Sequence, residues 1–263
     1  MRAARILWIW LLASAPGAAW ADGPATERPY TWQSYGAGAP MSGTVAYDLG
    51  VGTRNSRFFG ADGVEQGVRL RFQPWRGLAF EAFGGALLHP DHAARGAGAF
   101  DVVGRALWQE AAGVDLDLGA GYGFDYRERH VLRARAVLGR TFGAVDVRLG
   151  GALEVPLSGQ GDAADVSLTL GASLRVTPWW RQGIELAGED LEGLWEDEEA
   201  EGGAKLLFGP TAYFTLGGAV ELRLNLAAVY APPSAGARAG TGAETWGLLG
   251  RASVAYTFGG PGD

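Results

Sequence analysis

The sequence predicts an all-β fold, a transmembrane antiparallel up-and-down β-barrel of about twelve strands, with about ten to fourteen strands compatible with the pattern. Three observations support this prediction. From Gly43 onward, apolar residues recur at every second position. The alternating segments are about twice as long as a strand of a soluble protein. The connections between them are alternately short and long, as in barrels that span a membrane.

The alternation divides the chain into twelve segments of about ten or more residues each. In chain order, the predicted strands are 43–53, 63–73, 77–88, 97–109, 113–125, 130–141, 144–155, 164–177, 180–189, 203–214, 218–231 and 244–258. The alternation is weaker in the third, ninth and tenth segments, so the exact strand number stays open.

Each segment separates into an apolar and a polar face. Leu170 and Arg175 lie on opposite faces of the eighth segment, and Leu224 and Arg223 lie on opposite faces of the eleventh. In a membrane barrel the apolar face contacts lipid and the polar face lines the lumen. The charged residues that this parity places in the lumen are Asp48, Arg69, Arg71, Glu81, Asp101, Arg105, Asp115, Asp117, Arg133, Arg135, Asp146, Arg148, Glu154, Arg175, Glu185, Lys205, Glu221, Arg223 and Arg251.

A soluble β-barrel with an apolar core is the alternative, because alternation alone does not say which face is inside. Two features favour lipid. Strands of about twelve residues, tilted by about 40°, cross about 25–30 Å, the height of the apolar band of membrane barrels. Aromatic residues also gather at segment ends, where amphipathic rings prefer the membrane interface; they are Trp75, Trp108, Phe142, Trp179 and Trp180 near short connections, and Tyr122, Tyr230 and Trp246 near long ones.

The connections alternate in length along the chain. Long external loops are expected at 54–62, 89–96, 156–163, 190–202 and 232–243, with a shorter one around 127–129. Tight turns are expected at 73–76, 109–112, 141–143, 177–179 and 216–218. An even strand number would place both ends of the barrel on the periplasmic side.

The N-terminus predicts export. Arg2 and Arg5 precede the apolar run 6–12, and the small residues Ala19 and Ala21 mark a cleavage site, so residues 1–21 are interpreted as a removable signal peptide. We therefore divide the chain into that signal peptide, a periplasmic segment 22–42, the barrel 43–258 and a C-terminal tail 259–263. Whether the segment 22–42 enters the lumen is left open by the sequence.

The composition excludes several functions. The chain of 263 residues has a formal net charge of −7, which argues against nucleic acid as a partner. It contains no Cys, so disulfides and thiolate metal sites are impossible.

The mature chain resembles a Gram-negative outer-membrane β-barrel protein, porin-like in architecture, over essentially all of 43–258. The resemblance is carried by the alternating final segment, Ala252, Val254, Tyr256 and Phe258, which closes on an aromatic residue. Gly259 to Asp263 depart from it, because such proteins usually stop at that aromatic. The resemblance implies an outer-membrane location and contact with outer-membrane lipid and lipopolysaccharide, and it implies no substrate.

The sequence offers few candidate metal-binding or catalytic residues. His89, Asp91 and His92 could share a metal, although exposed loops collect His freely. The acidic residues of the segment 189–201 could hold a divalent cation, although a run of like charge is usually only solvated; the metal candidates there are Glu196, Asp197, Glu198, Glu199 and Glu201. His130 lies among arginines at a loop edge, where contact with lipid phosphate is as plausible as catalysis.

Three functions are compatible with the sequence. The first is a passive or weakly selective pore for small solutes, in which charges shape a transverse field across the lumen. The second is a non-conducting structural or interaction barrel whose charges pair across a filled interior. The third is a lipid-acting enzyme, which is disfavoured because no strand carries Ser and His on one face. We therefore predict no catalytic residues and no cofactor.

Overall fold

The barrel is seen in a computed structural model that describes residues 40–52, 63–89, 92–124, 130–157, 164–189, 191, 204–230 and 246–259. In chain order, the elements are β1 (Ser42–Gly52), β2 (Val64–Trp75), β3 (Leu78–His89), β4 (His92–Leu107), α1 (Gln109–Ala112), β5 (Asp115–Phe124), β6 (His130–Phe142), β7 (Val145–Pro156), β8 (Asp165–Thr177), β9 (Trp180–Glu189), β10 (Lys205–Leu216), β11 (Val220–Tyr230) and β12 (Trp246–Gly259). The predicted all-β fold is confirmed.

The sheet closes on itself. Each strand pairs antiparallel with its neighbours in the chain, and β1 pairs with β12 from Ser42 opposite Gly259 to Gly52 opposite Leu249. Closure removes both sheet edges, so the backbone groups of the strands bond to one another. A closed barrel is one of the two structures that satisfy the backbone in hydrocarbon.

The strand boundaries follow the apolar alternation closely, with one exception. β4 begins at His92 rather than at residue 97, and His89 lies opposite His92. The long loop predicted for 89–96 is therefore wrong. Apolar and polar residues do not alternate at Ala93, Ala94 and Gly96, so the sequence pattern did not show a strand there. Backbone pairing between strands does not require such alternation.

Short connections gather at one end of the barrel, which we call the short-turn end, and the others at the opposite long-loop end. The connection 109–112, predicted as a tight turn, is the single-turn helix α1. It ends at Gly113, which has a φ of 77° and donates its N–H to the carbonyl oxygen of Gln109 at 2.9 Å. The Gln109 side chain also bonds the backbone N–H and C=O of Thr141, at 2.8 and 2.9 Å, and so ties α1 to β6.

Apolar side chains cover the outside of the barrel. Leu170 and Leu224 are 43% and 40% exposed, whereas Arg223, next to Leu224 in the chain, is 2% exposed. An apolar core with a charged outer surface is therefore wrong, and the outer face matches a hydrocarbon environment. No helix in the described ranges is long and apolar enough to cross a membrane.

Aromatic residues lie at both rims of this surface. Trp75, Phe142 and Trp179 are exposed at the short-turn end, and Tyr122 and Trp246 are exposed at the long-loop end. They form two belts at the heights where amphipathic rings favour a membrane interface.

Trp108 is more enclosed than these rings. The guanidinium carbons of Arg76 and Arg105 lie 4.2 and 5.1 Å from its ring centroid, and the ring packs over Gly77. The φ of 82° at Gly77 suits a residue without a Cβ.

The chain ends are not described. Residues 1–39 and 260–263 lie outside the described ranges. The signal peptide 1–21, most of the segment 22–42 and most of the tail 259–263 therefore stay predictions.

Candidate functional site

The interior of the barrel holds buried charges that meet across strands. Arg135 of β6 pairs with Glu81 of β3, although β4 and β5 lie between these two strands. Such a pair can form only on the inside of the closed sheet, because the inner surface is concave. The polar face of the alternation is therefore the inner face.

Six of these side chains form one connected series, which we call the arginine–carboxylate chain. Glu81 lies between Arg71, at 2.8 Å, and Arg135. Asp101 accepts from Arg133 at 3.2 Å and lies 3.9 Å from Arg135, and Arg133 also bonds Glu154 at 2.8 Å. In order, the chain is Arg71, Glu81, Arg135, Asp101, Arg133 and Glu154, on strands β2, β3, β6, β4, β6 and β7.

Strand register explains this meeting. Glu81 is opposite Asp101, Asp101 is opposite Gly121, and Gly121 is opposite Arg133, so these residues form one row across four strands. Inward positions repeat at every second residue, so a second row lies beside it, formed by Ala79, Val103, Gly119 and Arg135. Glu81 and Asp101 thus occupy one end of the first row, and an arginine of β6 ends each row.

The β5 position of each row is a glycine, and the second row also contains Ala79 and Val103. A Cβ at Gly119 would lie 2.8 Å from Cγ and Nε of Arg135, and a Cβ at Gly121 would overlap the side chain of Asp101. Ala79 and Val103 are fully buried. Gly119 and Gly121 therefore give β5 a bare inner surface over which Arg135 and Asp101 lie flat.

Further charge pairs lie on the same side of the barrel. Arg105 bonds Asp117 through Nε and Nη2, at 2.8 and 3.1 Å, and reaches Asp115 at 3.2 Å. Asp117 is 1% exposed, so this bidentate pair is almost completely withdrawn from solvent.

Two smaller pairs also lie on this side. Arg148 bonds Asp146 at 3.0 Å, and Arg69 pairs with Asp48 of β1. Both pairs join residues of one strand or of neighbouring strands, so they do not cross the interior.

On the side formed by β8 to β12, two contacts lie within one strand or between neighbouring strands, and a third joins β12 to β2 across β1. Arg223 bonds Glu221 of its own strand at 2.5 Å, and Tyr213 donates to Glu185 of the neighbouring strand at 2.7 Å. Arg251 lies 3.7 Å from Glu65. Lys205 is buried and Arg175 is half-buried near the short-turn end.

The same side also holds apolar residues that sequence reasoning missed. They are inward-facing neighbours on β9 to β12, each at most 6% exposed, and we call them the inner apolar cluster: Ala187, Leu207, Ala227, Val229 and Leu249. A signal exists in the sequence, because alternation lapses there. Leu206 and Leu207 are consecutive apolar residues, as are Leu248 and Leu249.

The lumen charges occur as pairs of opposite sign. In the arginine–carboxylate chain positive and negative groups follow one another, so each charge is partly neutralised by its neighbours. The transverse field expected from such paired residues stays a prediction.

The two candidate metal sites lie outside the described side chains, so both stay predictions. They consist of His89, Asp91 and His92 and of the acidic residues 196–201. Within the described part of the chain, no three metal-ligating side chains cluster. His130 instead contacts the Tyr122 hydroxyl through Nδ1 at 2.5 Å, and the two rings are stacked.

Comparison with known proteins supports the architecture. No protein-family description matches the chain, and no curated protein matches its sequence. Solved structures do match. A structure of the KdgM porin has a TM-score of 0.55 at 10% identity and covers 82% of this chain and 99% of its own.

Two further structures give similar values. The NanC porin has a TM-score of 0.54 at 6% identity, covering 81% of this chain and 98% of its own. The COG4313 outer membrane channel from Pseudomonas putida F1 has a TM-score of 0.56 at 13% identity, covering 88% and 99%. At these identities the likeness establishes the fold, which is that of outer-membrane porin barrels.

Proposed function

We propose that this protein is an outer-membrane barrel that provides a narrow, weakly selective passage for small polar solutes. One observation carries the proposal: a closed twelve-strand barrel has an apolar outer face and a charged inner face. Twelve strands enclose more space than the small filled barrels and less than sixteen-strand water channels. Charged groups inside such a space suit polar solutes rather than apolar ones.

The structural neighbours support this proposal. KdgM and NanC are described as porins, and the Pseudomonas protein is described as an outer membrane channel. One KdgM structure holds a disordered oligogalacturonate. We infer for this chain an outer-membrane location reached through the signal peptide 1–21, and a role in passage rather than catalysis. Outer-membrane lipid and lipopolysaccharide would contact its outer surface.

Planar-bilayer recording tests the proposal. Refolded protein in potassium chloride should insert and give stepwise increases of conductance, whereas detergent alone and heat-unfolded protein should give none. A folded barrel that stays silent at all applied voltages would contradict the pore.

A non-conducting structural barrel is the second candidate, and two observations favour it. The inner apolar cluster fills part of the interior, and the described charges largely neutralise one another. Liposome swelling in small sugars separates the candidates, because a filled barrel would leave the swelling rate at that of empty liposomes.

A further inference from the structure

Arg140 of β6 lies on the lipid-facing surface of the barrel. Leu138, Arg140 and Phe142 follow one another at every second position, and all three side chains are exposed. The intervening Thr141 turns inward, where its hydroxyl donates to Asp146 at 2.8 Å. Within the described strands, Arg140 is the one Lys, Arg, Asp or Glu at a lipid-facing position.

The height of Arg140 matches that of an aromatic belt. Arg140 is two residues from Phe142, where β6 ends at the short-turn end, and so about 7 Å along the strand from that end. Its guanidinium carbon lies 4.6 Å from the centroid of the Phe142 ring. An arginine on the outside of a barrel is costly at the bilayer midplane and costs little near an interface. The guanidinium therefore lies at the height of lipid headgroups.

The charge of Arg140 is not balanced by a described carboxylate. Lumen arginines such as Arg105 and Arg133 pair with Asp or Glu, whereas the guanidinium of Arg140 contacts the Phe142 ring. A ring contact leaves the N–H donors, which lie in the guanidinium plane, open to another acceptor. A planar fork of N–H donors matches the oxygens of a phosphate group.

We propose that Arg140 and Phe142 form a binding site for the phosphate of an anionic phospholipid. In barrels of this kind the short turns face the periplasm, so the site lies among phospholipid headgroups. Phe142 orients the guanidinium, and the N–H donors of Arg140 bond the phosphate oxygens. A zwitterionic headgroup carries its own cation and gains less from Arg140, so the site favours anionic lipid. It would bind lipid whether or not the barrel conducts solutes.

Fluorescence quenching at one labelled position of the refolded full-length chain tests the site. The chain has no Cys, so Val147→Cys places a single bimane label opposite Arg140, on the lipid-facing side of β7. Phosphatidylcholine vesicles receive a small fraction of nitroxide-labelled phosphatidylglycerol or of nitroxide-labelled phosphatidylcholine. Quenching by the anionic lipid should exceed quenching by the zwitterionic lipid at least about twofold. Equal quenching would overturn the inference.

Loss of the guanidinium should remove this preference. Arg140→Gln in the labelled chain should bring the quenching ratio close to one. Arg76→Gln is the matched control, because Arg76 is an exposed arginine that also stacks on a ring at the short-turn end but lies in a turn. The control should keep the ratio of the parent. Equal reductions in both variants would overturn the inference, since net charge alone would then attract the lipid.

The contribution of Phe142 is tested without a change of charge. Phe142→Leu should lower the ratio, because the guanidinium loses the ring that orients it. Trp179→Leu removes an exposed ring elsewhere on the short-turn end and should leave the ratio unchanged. Folding is monitored by the shift in electrophoretic mobility on heating. If Arg140→Gln does not fold, Phe142→Leu decides, and a ratio equal to that of the parent would overturn the two-residue site.

Inorganic phosphate distinguishes a lipid headgroup from a soluble ligand. Excess phosphate should lower the ratio only as far as sodium chloride of the same ionic strength does, because both act by screening. A preference that disappears in phosphate and persists in chloride would overturn the inference, since soluble phosphate would then be the ligand.

Discussion

Two regions of the interior differ although the outer face of both is apolar. Along β2 to β7 the inward side chains include arginines and carboxylates, some of which bond across intervening strands. Near the long-loop end of β9 to β12 the inward side chains include the alanine, valine and leucine residues of the inner apolar cluster. The outer face is apolar throughout because lipid surrounds all of it. The inner face has no single environment, so its side chains are charged in one region and apolar in another.

The two regions are stabilised by different interactions. A buried carboxylate or guanidinium costs several kcal/mol to desolvate, so the charged region holds together only while its partners are present. The apolar region depends on volume and contact instead. The two regions should therefore respond differently to substitution, which can be measured by urea unfolding of the refolded barrel in lipid vesicles, followed by Trp fluorescence.

The largest loss of stability is expected for Arg135→Ala. Its removal leaves Glu81 with one partner and Asp101 without its second arginine, so the free energy of unfolding should fall by about 3–5 kcal/mol. A double variant with Glu81→Ala should lose much less than the sum of the two single losses. Simple additivity would show that the pair contributes no coupling.

The next loss is expected in the inner apolar cluster. Leu249→Ala removes a fully buried side chain and should lower the free energy of unfolding by about 2–4 kcal/mol. Leu248→Ala is the matched change at the neighbouring lipid-facing position, which is 57% exposed, and it should cost clearly less. Equal losses would mean that Leu249 is not packed inside the barrel.

A smaller loss is expected for Gly121→Ala. The added methyl overlaps Asp101 and the backbone of Phe100, so the free energy of unfolding should fall by about 1–3 kcal/mol. Gly84→Ala has open space and should change stability little. A stability equal to that of the wild type in Gly121→Ala would contradict the close fit of the charged region on β5.

The smallest effect is expected for the pair between Arg76 and Glu110 at the short-turn end. Both side chains are more than half exposed and their nearest atoms are 3.7 Å apart, so Arg76→Gln should cost less than about 1 kcal/mol. A larger loss would point to the stacking of Arg76 on Trp108 as the stabilising contact.

The sequence alone was enough to derive the barrel. A strand number of about twelve, the short and long connections and the two faces follow from a period of two, because that period is a local property of each strand. The exact strand number stayed open. Where apolar and polar residues stop alternating, the sequence no longer predicts the strand boundary or the inward residues. The start of β4 at His92 and the inner apolar cluster were both missed because neighbouring residues there are alike in polarity.

Only the tertiary structure decided which side chains meet. Alternation places Glu81 and Arg135 on the inner face, but nothing local says that residues from β3 and β6 bond to each other. That contact depends on closure of the sheet and on the register that sets Gly119 and Gly121 between them. Register and closure are properties of all the strands together, so they lie beyond the pattern of any one segment.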